Sequence, residues 1–154
     1  MTATLTWVGV AEGAASDARG ALTLVGFNAQ VFTQEQYPVA MSPTFIAIME
    51  GGPGEERFVQ DLQPSVQISV EDESGRTVFL VDSPRQPLGP KDWWMLPDRL
   101  QVVMQVNFLA EFPGRYTATV RMNLWRGDAL AHADSRSVNF WILPSAAREE
   151  PQVS

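Results

Sequence analysis

Residues 115–124 constrain the fold more than any other stretch of this chain. Phe112-Pro113-Gly114 is a turn sequence, and the run behind it alternates strictly. Tyr116, Ala118, Val120, Met122 and Leu124 are apolar or aromatic, whereas Arg115, Thr117, Thr119, Arg121 and Asn123 are polar. A period of two belongs to a β-strand with one dry face and one wet face. Such a strand requires a second hydrophobic layer, so the pattern predicts a sheet packed on another sheet.

The rest of the chain repeats the theme. Leu5–Ala11 reads as a first strand, and 12–20 as a small-residue loop. Segments 21–28 and 44–49 read as strands apolar on both faces, separated by a break at 34–38. Gly51-Gly52-Pro53-Gly54 is a loop by composition. Val66–Glu71 alternates, Asp72-Glu73-Ser74-Gly75 turns, and 76–82 returns as the hairpin partner, again apolar on both faces over 76–81. Residues 83–98 hold Pro84, Pro87, Pro90 and Pro97 and the adjacent Trp93 and Trp94, and read as the longest irregular stretch. Residues 100–108 give another half-wet strand. After 116–125, Arg126-Gly127-Asp128 turns the chain into 130–143, with a bulge expected near Asp134-Ser135 where the alternation slips. Seven to nine short strands and no helical period predict an all-β, two-layer antiparallel β-sandwich, with one domain over 1–143 and a loose tail over 144–154.

Composition narrows the chemistry. The chain has no cysteine, which excludes disulfides, thiolate metal sites and a thiol nucleophile. His132 is its one histidine. A formal charge of −7 opposes binding to nucleic-acid backbone and to anionic membranes. No apolar run approaches the ~20 residues of a membrane helix. No Lys or Arg precedes the apolar patch at 5–11, so the expected address is cytoplasmic.

Gly20-Ala21-Leu22-Thr23-Leu24-Val25-Gly26-Phe27, the Pro43–Met49 strand, the Asp72-Glu73-Ser74-Gly75-Arg76 hairpin, Phe112-Pro113-Gly114-Arg115-Tyr116 and the Trp125-Arg126-Gly127-Asp128 turn together resemble an uncharacterised bacterial family of small β-sandwich proteins, catalogued as a domain of unknown function. The resemblance covers most of 5–143 and implies the sandwich fold and a bacterial cytosolic setting. The Pro-Gly-x-Tyr strand is of a kind common to immunoglobulin-like folds. It assigns no catalytic residue, and the Trp93-Trp94 segment departs from it.

Several residues invite a chemical reading. His132 and Asp134 share a strand face, with Ser135 and Ser137 nearby, but no Gly-x-Ser-x-Gly elbow accompanies them. A carboxylate pair such as Asp92 with Asp98 is the other basis on which a small hydrolase could be built. Glu71, Asp72 and Glu73 could suggest calcium, which needs six to eight oxygens; a plain hairpin turn explains them with less. The Arg126-Gly127-Asp128 tripeptide of integrin ligands stands where a hairpin wants a glycine.

The sharper feature is aromatic. Trp93 and Trp94 in an irregular end loop, with Trp125 on the polar face of its strand, could anchor a protein or stack on a sugar. The competing expectation is that Trp93 and Trp94 plug the end of the sandwich. Trp7 and Trp141 read as core or near-core. The sequence therefore predicts a non-enzymatic binding or interaction module. Its contact residues are Trp93, Trp94 and Trp125 together with an apolar sheet face. No catalytic, metal or cofactor site is assigned, and a protein partner or a second copy is the expected occupant. A carbohydrate-binding module is the alternative, and a small hydrolase comes behind it. Gly114 is expected at positive φ in a type II turn.

Overall fold

The computed structural model describes residues 3–16, 22–26, 31–54, 62–85, 93–96 and 99–145. Among these residues there is no helix; the elements are strands and turns. The four-stranded sheet runs in the order β1 (Thr4–Ala11), β6 (Thr44–Glu50), β10 (Arg99–Gln105) and β9 (Trp93–Leu96). The five-stranded sheet runs in the order β4 (Val31–Gln34), β13 (Ala129–Pro144), β12 (Gly114–Arg126), β7 (Gln63–Glu71) and β8 (Thr77–Asp82). Two short ribbons pair β2 (Gly13–Ser16) with β3 (Leu22–Val25), and β5 (Val39–Met41) with β11 (Phe108–Ala110).

This is the strand order of an immunoglobulin-like sandwich. There, A, B, E and D share one sheet and C, F and G the other. Here β1, β6, β10 and β9 take the first set, and β7, β12 and β13 the second, with β8 and β4 added at the flanks. All pairings in the two sheets are antiparallel except β4 with β13, which is parallel.

The alternation of β12 does what its sequence requires. Tyr116, Ala118, Val120, Met122 and Leu124 are buried, and they meet Val66, Ile68 and Val70 of β7 and Phe45, Ala47 and Met49 of β6 in one cluster. Phe140 is the aromatic centre, with ring centroids 5.9 Å from Phe32, 6.0 Å from Phe45, 6.2 Å from Phe108 and 5.7 Å from Tyr116. Such ring pairs add about 0.5–1.5 kcal/mol each beyond simple burial. The Tyr116 hydroxyl donates to the Phe112 carbonyl at 2.6 Å, which ties the start of β12 to the corner before it. That contact is the tyrosine corner of immunoglobulin-like domains. Ala118 occupies the position two residues on, where antibody domains carry a cysteine.

Of the strands read as apolar on both faces, β6 is dry on both. Phe45, Ala47 and Met49 enter the core, and Ile46 on the opposite face is also fully buried. On that outer face the Trp7 ring lies so close over Gly9 that a Cβ there would stand 2.5 Å from it. Gly9 is therefore a glycine for space. In β8, Val78, Phe79 and Val81 pack on the core, and of the strand's apolar residues Leu80 alone is exposed.

Three local expectations need correction. Residues 13–16 form β2 rather than continuing a loop. Trp93–Leu96 form an edge strand rather than lying in an irregular end loop. The extra residue of β13 is Ala131, since Leu124 faces His132 and Trp125 faces Leu130; there is no bulge at Asp134-Ser135. The tail beyond 145, Asp92 and Asp98 lie outside the described residues.

Candidate functional site

The hydrolase reading starts from His132, Asp134, Ser135 and Ser137. The register places His132 opposite Leu124, Asp134 opposite Met122 and Arg136 opposite Val120, so all three share the face of the buried row on β12. Upstream of Trp141 this flank of β13 has no strand partner in its own sheet among the described residues, where β4 pairs with 141–144. Polar groups directed inward at a free edge are one way proteins block unwanted strand pairing.

Here they also bind β1. The Asp134 carboxylate accepts the Leu5 N–H at 2.7 Å through Oδ2 and the Ser135 N–H at 2.9 Å through Oδ1. Arg136 Nη1 donates to the Leu5 carbonyl at 3.2 Å and to the Thr6 carbonyl at 2.7 Å. Thr6 is the extra residue of a bulge in β1, since Leu5 faces Met49 and Trp7 faces Ile48. Carboxylate and guanidinium thus bind backbone groups of β1 at its bulge. His132 joins neither; its Nε2 is buried without a hydrogen-bond partner. Ser137 pairs with Thr119 on the opposite, wet face at 2.8 Å. The four residues do not form a catalytic set.

Asp72 is likewise committed to its turn. Its Oδ1 accepts the Ser74 hydroxyl at 2.6 Å and the Ser74 and Arg76 N–H groups at 3.0 Å, while Arg76 Nε stands 3.5 Å from Oδ2. The Ser74 hydroxyl, more than the Arg76 charge, holds the Asp72 carboxyl below its ordinary range. Gly75 closes the turn at φ 85°. Among the described residues no three His, Asp or Glu side chains converge as metal ligands would.

Trp125 lies on the wet face, as its odd position requires, but it is pinned. Its indole N–H donates to Ser65 Oγ at 3.0 Å, and the Arg85 guanidinium sits 4.0 Å from the ring centroid. Arg85 also donates to the Gly127 carbonyl at 2.6 Å and stands 3.6 Å from Asp128. One ring face therefore serves a cation–π contact that fastens the Arg126-Gly127-Asp128 hairpin, and is not open to a sugar. Trp93 and Trp94 stand opposite Val102 and Gln101 on the edge strand β9, some way along the chain from Trp125 and in the other sheet.

The surface that sequence reasoning passed over is a cleft of about 290 Å3 between two turns. The Asp72–Arg76 hairpin forms one wall, and Phe112, Pro113, Gly114, Arg115 and Tyr116 form the other. Phe112 is 65% exposed at its lip. Gly114 has φ 143°, positive as expected but well away from the ~+80° of a type II turn. The Glu73 carboxylate lies across it, 2.8 Å from where a Cβ would be. Arg76 is held by Asp72 and by Glu111 at 3.0 Å. Glu73 and Arg115 have no ion pair among the described residues. An aromatic next to a Pro-Gly turn in a half-polar loop was the available signal.

No family model and no curated protein matches the chain. Among solved structures, self-complemented MyfA, the major subunit of Myf fimbriae from Yersinia enterocolitica, is similar over 89% of this chain and 98% of that chain, at 11% identity and a TM-score of 0.40.

Proposed function

We propose that this chain is a non-enzymatic binding module that works through exposed apolar surface rather than through a reactive cleft. One observation carries the reading. The groups with chemical potential are spent on architecture: Asp134 and Arg136 on the β1 backbone, Asp72 on its own turn. By contrast, Phe112, Leu109, Leu80 and the cross-strand neighbours Val31 and Trp141 present apolar surface to solvent. Exposed apolar groups set among polar ones are the usual mark of a contact surface. Trp93 and Trp94 extend the proposal to β9, the edge of its sheet among the described residues, since a strand flank without a partner can accept another chain.

Site-specific photo-crosslinking in the producing cell tests this. A photoreactive side chain at Leu109, Trp141 or Trp93 is expected to give discrete protein adducts. The same group at Thr119, on the hydroxyl-rich middle of the five-stranded sheet, is expected to give none. Silence at all the apolar positions would remove the proposal.

A further inference from the structure

The cleft at the turn end of the sandwich has the properties of a surface built to meet itself. A twofold dimer uses the same patch on both subunits, so the patch must be self-complementary: every knob needs a hole, and every free charge needs its opposite within the same patch. Phe112 is the knob, a ring 65% exposed on the rim of the cleft. The cleft beside it is the hole, with Pro113, Gly114 and the edge of Tyr116 giving an apolar lining. At about 290 Å3 it is large enough to receive an aromatic side chain. Leu109, 50% exposed on the strand leading into the turn, is a further exposed apolar residue nearby in sequence.

The charges obey the same rule. Four charged side chains line the cleft, and two are already used: Arg76 sits between Asp72 and Glu111, which lies just outside the lining. The remaining two are Glu73 and Arg115, one of each sign on opposite walls. They are the pair that a twofold axis would bring together across an interface, Glu73 of one copy to Arg115 of the other, twice.

We infer that this cleft is the homodimer interface of the chain, with Phe112 of each copy seated in the cleft of its partner. The inference rests on the binding-module reading and names a second copy as the occupant. Each copy carries a net charge of −7, so long-range repulsion opposes association. At physiological ionic strength it is screened beyond about 8 Å, leaving the short-range pairs to decide.

Sedimentation equilibrium at physiological salt tests the inference, with circular dichroism confirming that each variant is folded. The wild type is expected to reach twice the 17.0 kDa monomer mass as concentration rises. Phe112→Asp should remain monomeric, while Thr119→Asp on the polar sheet face should dimerise as wild type. Arg115→Glu and Glu73→Arg should each be monomeric alone. Mixed in equal amounts they should recover the doubled mass, because a heterodimer of the two restores both opposite-charge pairs. A wild type monomeric throughout, a dimer unaffected by Phe112→Asp, or a mixture no heavier than its components would overturn the inference. A monomer that still gives adducts to another protein at the apolar positions would sink the dimer and leave the binding-module reading standing.

Discussion

Arg136 reaches from β13 to β1 and donates 2.7 Å to the Thr6 carbonyl, at the residue where β1 bulges away from β6. The same nitrogen also meets the Leu5 carbonyl at 3.2 Å. A sandwich has two open sides, and on this one a side chain takes the place of a ladder of backbone hydrogen bonds. Replacing Arg136 with Met keeps the aliphatic length and removes the donors. The expected result is a loss of about 1–3 kcal/mol in urea unfolding, since two carbonyls lose a charged donor. Amide exchange should rise along Thr4–Val8 and stay unchanged in β12.

The tyrosine corner gives a second test. Tyr116→Phe removes the 2.6 Å bond to the Phe112 carbonyl and little else. The unfolding midpoint should fall by an amount equivalent to about 1 kcal/mol. Burial raises the Tyr116 hydroxyl pKa above its ordinary value, so the unfolded state ionises first. Its contribution is full below about pH 10 and is lost as pH rises through the folded value. The difference between wild type and Tyr116→Phe should accordingly shrink in strong alkali.

Asp72 makes a prediction of the opposite sign. Its folded pKa is lowered, chiefly by the Ser74 hydroxyl, so it stabilises the turn when ionised. That contribution is present above the unfolded carboxylate value of about 3.9 and disappears as pH falls through the folded one. Asp72→Asn should lower the thermal midpoint at neutral pH and match wild type in strong acid. A midpoint unchanged at pH 7 would mean that the turn does not depend on the carboxylate.

Gly114 tests the backbone. At φ 143° an L-residue is strained, and a Cβ would also displace the Glu73 carboxylate. Gly114→Ala should cost about 1–3 kcal/mol. The Glu73→Ala background should relieve the contact but leave the backbone strain, so most of the loss should persist there. A substitution without cost would contradict the turn geometry.

How much of this was legible beforehand depended on how local the cause is. The period of two in 115–124 and the turn residues Asp72-Glu73-Ser74-Gly75 act within a few residues, and both elements formed as their sequences require. Trp93–Leu96 does not read as a strand because Pro90 and Pro97 on either side hide its boundaries, and its pairing with β10 turns back within a few residues of Pro97. The apparent slip at Asp134-Ser135 misleads for a different reason. Asp134 and Arg136 occupy inward positions that alternation reserves for apolar residues, but their partner is the β1 backbone, 129 or more residues away. The parallel pairing of Val31–Gln34 with β13 is equally non-local. The cleft arises from two turns distant in sequence, and no single-segment pattern announces it.

The central claim is that Asp134 and Arg136, on the inner face of β13, hold the two sheets together, and that this row of polar residues serves architecture rather than chemistry. Folding stability of Asp134→Ala, set beside His132→Ala, tests this most directly. Asp134→Ala removes the acceptor of the Leu5 N–H and is expected to lose about 1.5–3 kcal/mol, as for a charge-assisted bond to a partly buried donor. His132→Ala, which breaks no hydrogen bond, is expected to lose only packing. Residues kept for function commonly cost stability, so a chain left as stable or made more stable by Asp134→Ala would contradict the account and return His132 and Asp134 to the list of reactive groups.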